Sequence, residues 1–153
     1  MQTAKQVSVS LVNKPGRLAA MLDALNKEKV DLQALVVMDS GDRGTIRFVP
    51  DDLTTAIQVL DDMNARHDVG DVLLIEVPSQ LGAFRKICQR LAAEHLNIDY
   101  AYCTFSGVGG ARKGPLAVIR VNDLAKAQRV LSENGTTARR KQPPPIRRPV
   151  FAR

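Results

Sequence analysis

The stretch VSVSLVNKPGRLAAML, residues 7–22, decides how the chain is read. Val7, Val9 and Leu11 alternate with polar residues, the pattern of a half-buried strand. Leu18, Met21, Leu22 and Leu25 then follow i, i+3, i+4, i+7, one face of a helix. Between the two periods stand Asn13, Lys14, Pro15, Gly16 and Arg17. Pro15 cannot donate to a strand ladder. Gly16 allows a positive φ or a close backbone approach that other residues resist. The helix that follows opens with backbone N–H groups lacking intrahelical partners, an end that attracts carboxylate or phosphate. Asn13, just before the turn, offers an amide that both donates and accepts. The combination suits the carboxylate and ammonium of a free amino acid.

Working outward, the same pattern returns 66 residues later. Gly16 falls on Gly82, Leu18 on Phe84, Met21 on Ile87, Leu25 on Leu91 and Leu32 on Ile98. Upstream, Val9 falls on Ile75 and Leu11 on Val77. Further on, IRFVPDDLTTAIQVL (46–60) matches IRVNDLAKAQRVL (119–131) after a longer hairpin. Spacing is kept across a strand, a loop and a helix, so the chain reads as two copies of one small fold. Each copy runs βαββα. In the first, 30–38 and 45–49 are strands around a turn at 39–44, and 51–63 is a helix whose leading acids suit its dipole. A short fourth strand is expected near Val69. In the second, helices are expected at 82–94 and 123–133 and strands at 97–105 and 115–121, with a glycine-rich hairpin at 106–114. No strong fourth strand follows Asn134, and Pro143–Pro145 favour an extended polyproline conformation. Right-handed β–α–β crossovers then put both helices of a unit on one face of an antiparallel sheet. The expected class is α+β, two ferredoxin-like βαββαβ units, with domains at 1–70 and 71–138 and a tail at 139–153.

Composition narrows the function. Of 22 basic residues, six lie in RRKQPPPIRRPVFAR (139–153), which has no acid. The body therefore holds 16 basic and 16 acidic residues, and the net charge of +6 belongs to the tail. No apolar run approaches the roughly 20 residues of a membrane span. The N-terminal MQTAKQ lacks the apolar core of a secretory signal, so a cytoplasmic setting is expected. Cys88 and Cys103 are too far apart for a CxxC site and read as core thiols. His67 and His95 read as helix-end residues rather than metal ligands. No nucleophile elbow, Walker loop, zinc signature or spaced carboxylate pair is present, so neither catalysis nor a cofactor or metal is expected. RNA-recognition modules share the βαββαβ order, but they stack bases on strand aromatics. Here the third strand of the first copy offers only Phe48, and aromatics total 4%. Nucleic acid is an unfavoured partner. Tyr100 and Tyr102 share one side of their strand and read as core or inter-domain packing rather than a ligand wall.

A strand, then Asn-x-Pro-Gly-x-Leu, then an amphipathic helix running into VDL (30–32) or NID (97–99), resembles the ACT domain. The likeness spans residues 5–134, and the tandem resembles small stand-alone double-ACT proteins. It implies a non-catalytic regulatory protein that binds a free amino acid at the loops between first strand and first helix, together with a partner domain. By that resemblance the site comprises Asn13, Lys14, Pro15, Gly16, Arg17 and Leu18, with Ser79, Gln80, Leu81, Gly82 and Ala83 in the second loop. The second loop keeps the glycine but has Leu81 in place of proline, so the first loop is expected to bind better. A homodimer is expected, since small units leave strand edges open to pairing. A regulated enzyme or regulator is the implied downstream partner. A pure dimerisation module is the alternative.

Overall fold

The computed structural model describes residues 1–78, 80–104 and 115–132, without the side chains of 39 and 40. Chain order is β1 (Gln2–Val12), α1 (Arg17–Lys27), β2 (Leu32–Ser40), β3 (Arg43–Pro50), α2 (Leu53–Asp62), β4 (Arg66–Glu76), α3 (Ala83–Ala93), β5 (Ile98–Thr104), β6 (Leu116–Val121) and α4 (Leu124–Ser132). The expected 106–114 hairpin and everything after residue 132 lie outside the described residues.

The two units build one sheet, not two. Its order is β2-β3-β1-β4-β6-β5, and every neighbouring pair is antiparallel. The expected boundary at 70/71 falls inside β4, which serves both units. Its first half pairs with β1 as the fourth strand of the first unit, and its second half pairs with β6 as the first strand of the second. The position beside β4 for a fourth strand of the second unit is taken by the start of β1, with Gln2 opposite Leu74 and Ala4 opposite Val72. Each long strand thus completes the other's unit.

The 66-residue repeat is written into this ladder. Adding 66 to Lys5 gives Asp71, and Lys5 and Asp71 are partners in the β1–β4 register. A pseudo-twofold axis passes through that pair, where Lys5 Nζ meets Asp71 Oδ1 at 2.7 Å. Both side chains are about half exposed, so the ion pair contributes only about 0–1 kcal/mol. Beyond the second hairpin the offset becomes 71. Phe48 lies opposite Val7 where Ile119 lies opposite Leu73, and Leu60 corresponds to Leu131. The sequence match of Ile46 with Ile119 is therefore two residues out of structural register at its start. Both segments open with Ile-Arg, but pairing follows the side chains that face the helices.

Both helix pairs cover one face. β4 supplies Val69 to the first core and Leu73 and Ile75 to the second, all odd-numbered and hence on one side of the strand. The first core gathers Val7, Val9, Met21, Leu25, Phe48 and Leu60, and the second gathers Leu73, Leu91, Ala117, Ile119, Ala127 and Leu131. Helix ends repeat as well. After α1, Lys29 N–H donates to Asn26 O and Val30 N–H to Leu25 O. After α3, His95 N–H donates to Ala92 O and Leu96 N–H to Leu91 O. These are Schellman closures, with Lys29 at φ 59° and His95 at φ 56° in the left-handed position that glycine usually fills. Asp52 caps α2: the Thr55 N–H and hydroxyl donate to its carboxylate at 3.1 and 2.6 Å. The hydroxyl bond first, then the N–H, lowers the Asp52 pKa below its ordinary value.

The helix-free face is buried too, because the sheet curls until its edge strands β2 and β5 approach each other. Ala34, Val49, Val72, Leu74, Leu116 and Val118 form a third core there. Gln6, 1% exposed, sits among them. Its Nε2 donates to Tyr100 Oη at 2.5 Å, and Tyr102 Oη donates to its Oε1 at 3.0 Å. The Arg47 guanidinium lies over the Tyr100 ring, 4.2 Å from its centre. Of the two packing roles open to Tyr100 and Tyr102, these contacts with β1 give the inter-unit one. Cys103, one residue further along, alternates outward and is exposed, so it is not a core thiol.

Candidate functional site: the two strand-to-helix loops

The loops that carry the proline-glycine motif sit at equivalent ends of the two units. Gly16 caps α1 at φ 84°, ψ −13°, and Gly82 caps α3 at φ 78°, ψ 8°. In the first loop, Arg17 N–H donates to Lys14 O and Ala20 N–H to Gly16 O. In the second, Ala83 N–H donates to Gln80 O and Lys86 N–H to Gly82 O. The backbone is the same although Leu81 replaces Pro15. The turn is set by the glycine, since a left-handed cap excludes most side chains while proline only presets φ. A Cβ on Gly16 would meet nothing within 4 Å, so its requirement is conformational rather than steric.

The surroundings differ. Asn13 N–H donates to Asp42 O at 2.9 Å, and its side-chain amide donates to Gly41 O at 3.3 Å. The first loop is thereby laced to the β2–β3 turn. Lys14, Pro15 and Arg17 are exposed, while Leu18 packs on the first core. In the second loop Gln80 and Leu81 are exposed and Ala83 packs on the second core; Ser79 lies outside the described residues.

A cleft of about 610 Å³ opens beside the second loop. Gln80 and Ala83 line it, with Met1, Ile75, Ile87 and Leu131 as apolar walls and Glu76, Lys86 and Arg90 as charged ones. Arg90 also donates through Nη2 to Val130 O, closing α4 onto α3. Lys86 and Arg90 lie one helical turn apart, on one face of α3. Of the second-loop residues singled out from the sequence, Gln80 and Ala83 line this cleft and Leu81 and Gly82 do not; Lys86, Arg90 and Met1 line it without having been singled out. The cationic pair was visible as Lys-x-x-x-Arg, but its cleft depends on β1 crossing to the second unit. A smaller cleft, about 300 Å³, lies between α1 and α2 and is lined by Ala24, Lys27, Thr55, Gln58, Asp62 and Met63. Among the described residues, no three His, Cys, Asp or Glu side chains are grouped to hold a metal, and no helix is long and apolar enough to cross a membrane.

A duplicated βαββα unit, glycine-capped loops at equivalent ends and a shared antiparallel sheet define a tandem ferredoxin-like α+β protein. Residues 2–138 match the ACT domain pair family, and the chain belongs to it. Among solved structures, protein BT0572 from Bacteroides thetaiotaomicron is 33% identical with a TM-score of 0.78, over 86% of this chain and 88% of that one. The regulatory subunit of aspartate kinase from Thermus thermophilus shares the fold at 16% identity and a TM-score of 0.62, over 88% of this chain and 93% of that one. The corresponding subunit from Thermus flavus does so at 16% and 0.56, over 87% and 96%. None of the curated proteins compared with the chain matches it.

Proposed function

We propose that this chain is a non-catalytic regulatory protein, set in the cytoplasm, that binds a free amino acid or a similar small metabolite at a strand-to-helix loop and relays its presence to an enzyme or regulator. One observation carries the reading: in an ACT domain pair, a glycine-capped loop opens onto a cleft of about 610 Å³ with apolar walls and both signs of charge among its lining residues. That composition suits a zwitterion with a hydrocarbon body. The fold of the aspartate kinase regulatory subunits supports a role that acts through another protein.

A thermal-shift screen of the full chain against the standard amino acids tests this. A ligand at 100 times its Kd stabilises the fold by about 2.7 kcal/mol. For a chain of this length the midpoint rises by roughly 5–11 °C. No shift with any amino acid at millimolar concentration favours the second reading, a dimerisation module. That alternative rests on edge strand β2, which leaves Leu35 and Val37 exposed at 37% and 51%.

A further inference from the structure

The pseudo-twofold lets each residue lining the large cleft be compared with its counterpart in the first unit. Lys86 and Arg90 correspond to Ala20 and Ala24, and Glu76 corresponds to Ser10. Met1, which reaches the second unit at the head of β1, corresponds to His67 on β4, and Ser132 corresponds to Asp61. In the first unit those last two counterparts come together. His67 Nε2 stands 3.7 Å from Asp61 Oδ1, and His67 Nδ1 is 2.9 Å from Ala65 O, with the ring largely covered. The positions lined by Met1 and Ser132 in the second unit are thus held by a paired histidine and aspartate in the first. The helix that presents two cations in the second unit presents two methyl groups in the first. Duplication gave both units one backbone, but among the described residues the cleft with paired cations on its first helix lies in the second unit, at about 610 Å³ against about 300 Å³ for the cleft between α1 and α2.

We infer that the chain binds one ligand, in the second unit, and that this ligand is a carboxylate with a branched or aromatic apolar body. The inference rests on the reading above that the chain binds a small metabolite. Lys86, with Arg90 a turn further along α3, holds the carboxylate by charge-assisted contacts. Ile75, Ile87 and Leu131 take the apolar body, and Gln80 lines the same cleft from the loop. A ligand with a charged side chain would have to bury that charge against these three apolar residues, which disfavours it.

Titration calorimetry on the full chain tests the inference with leucine, 4-methyl-2-oxopentanoate, 3-methylbutylamine, aspartate and lysine as probes. The two branched carboxylates are expected to bind with a stoichiometry of one per chain, and the amine, which lacks the carboxylate, is expected not to. Lys86→Glu is expected to weaken binding by about 10- to 150-fold or more, the loss of one charge-assisted bond, with the melting midpoint unchanged because Lys86 is exposed. Lys29→Glu, the same charge change at an exposed residue past the C-terminal end of α1, is expected to leave affinity within threefold. Two sites per chain, or tight aspartate or lysine binding that Lys86→Glu does not alter, overturns the inference and leaves the regulatory reading standing. No binding of any standard amino acid or 2-oxo acid overturns both.

Discussion

Replacing Gln6 by leucine isolates the contact that ties the two units together across the curled face. Gln6 is on β1, in the first unit, and the phenols it bonds are on β5, in the second. The substitution removes two hydrogen bonds at a net of about 0.5–1.5 kcal/mol each. It also leaves Tyr100 and Tyr102 oxygens in a half-buried seam, where an unsatisfied polar group costs about 1–3 kcal/mol. Both rings retain some solvent access and the leucine gains apolar contact, so the expected loss is about 2–4 kcal/mol. At about 2–4 °C per kcal/mol for a chain of this size, the midpoint falls by roughly 5–15 °C. Urea and thermal unfolding followed by circular dichroism measure it. The triple variant Gln6→Leu/Tyr100→Phe/Tyr102→Phe is expected to recover most of the loss, because no polar group is then stranded. Gln6→Leu as stable as the parent, or a triple variant less stable than the single, refutes the argument that polar satisfaction holds this seam.

The same seam has a pH signature. Burial, then the neighbouring Tyr100, pushes the Tyr102 phenol well above its ordinary pKa, against a smaller downward pull from Arg47. The folded state favours the neutral phenol, so its contribution is fully present below the ordinary value of about 10 and is lost as pH rises through the folded value. Unfolding free energy is expected to fall above about pH 10, and Tyr102→Phe is expected to reduce that slope. Lys29→Gly is expected to stabilise the chain by about 0.5–1 kcal/mol, since it relieves a left-handed lysine at the α1 closure; urea midpoints check it. His95→Gly is expected to act alike, from the equivalent closure of α3.

The sequence made the repeat legible because two periodicities and a glycine recur at constant spacing. Gly16 and Gly82 take nearly equal dihedrals, and α1 and α3 have identical lengths. What stayed hidden has a common physical cause. Lys5, His67, Asp68 and Asp71 are polar, yet they lie in strands, because the middle of the β1–β4 ladder runs between the two helix pairs, where no apolar stripe is needed. Hydrophobic alternation therefore shortened both strands and concealed the shared sheet. Gln6 is polar and belongs to no motif, yet the curl of the sheet buries it, and curl depends on strands far apart in sequence. Asn13 and Pro15 drew attention to the first loop, whereas the large described cleft is assembled at the second by Met1, α3 and α4, which no local motif brings together.

The most direct test of the account is a map of amide chemical-shift changes when leucine is titrated into the isotope-labelled full chain. Saturable changes are expected, centred on Ile75, Gln80, Ala83, Ile87 and Leu131, with the loop from Asn13 to Leu18 unmoved. Changes centred on the first loop, or none at saturating concentration of leucine and of each other branched or aromatic amino acid, would contradict it.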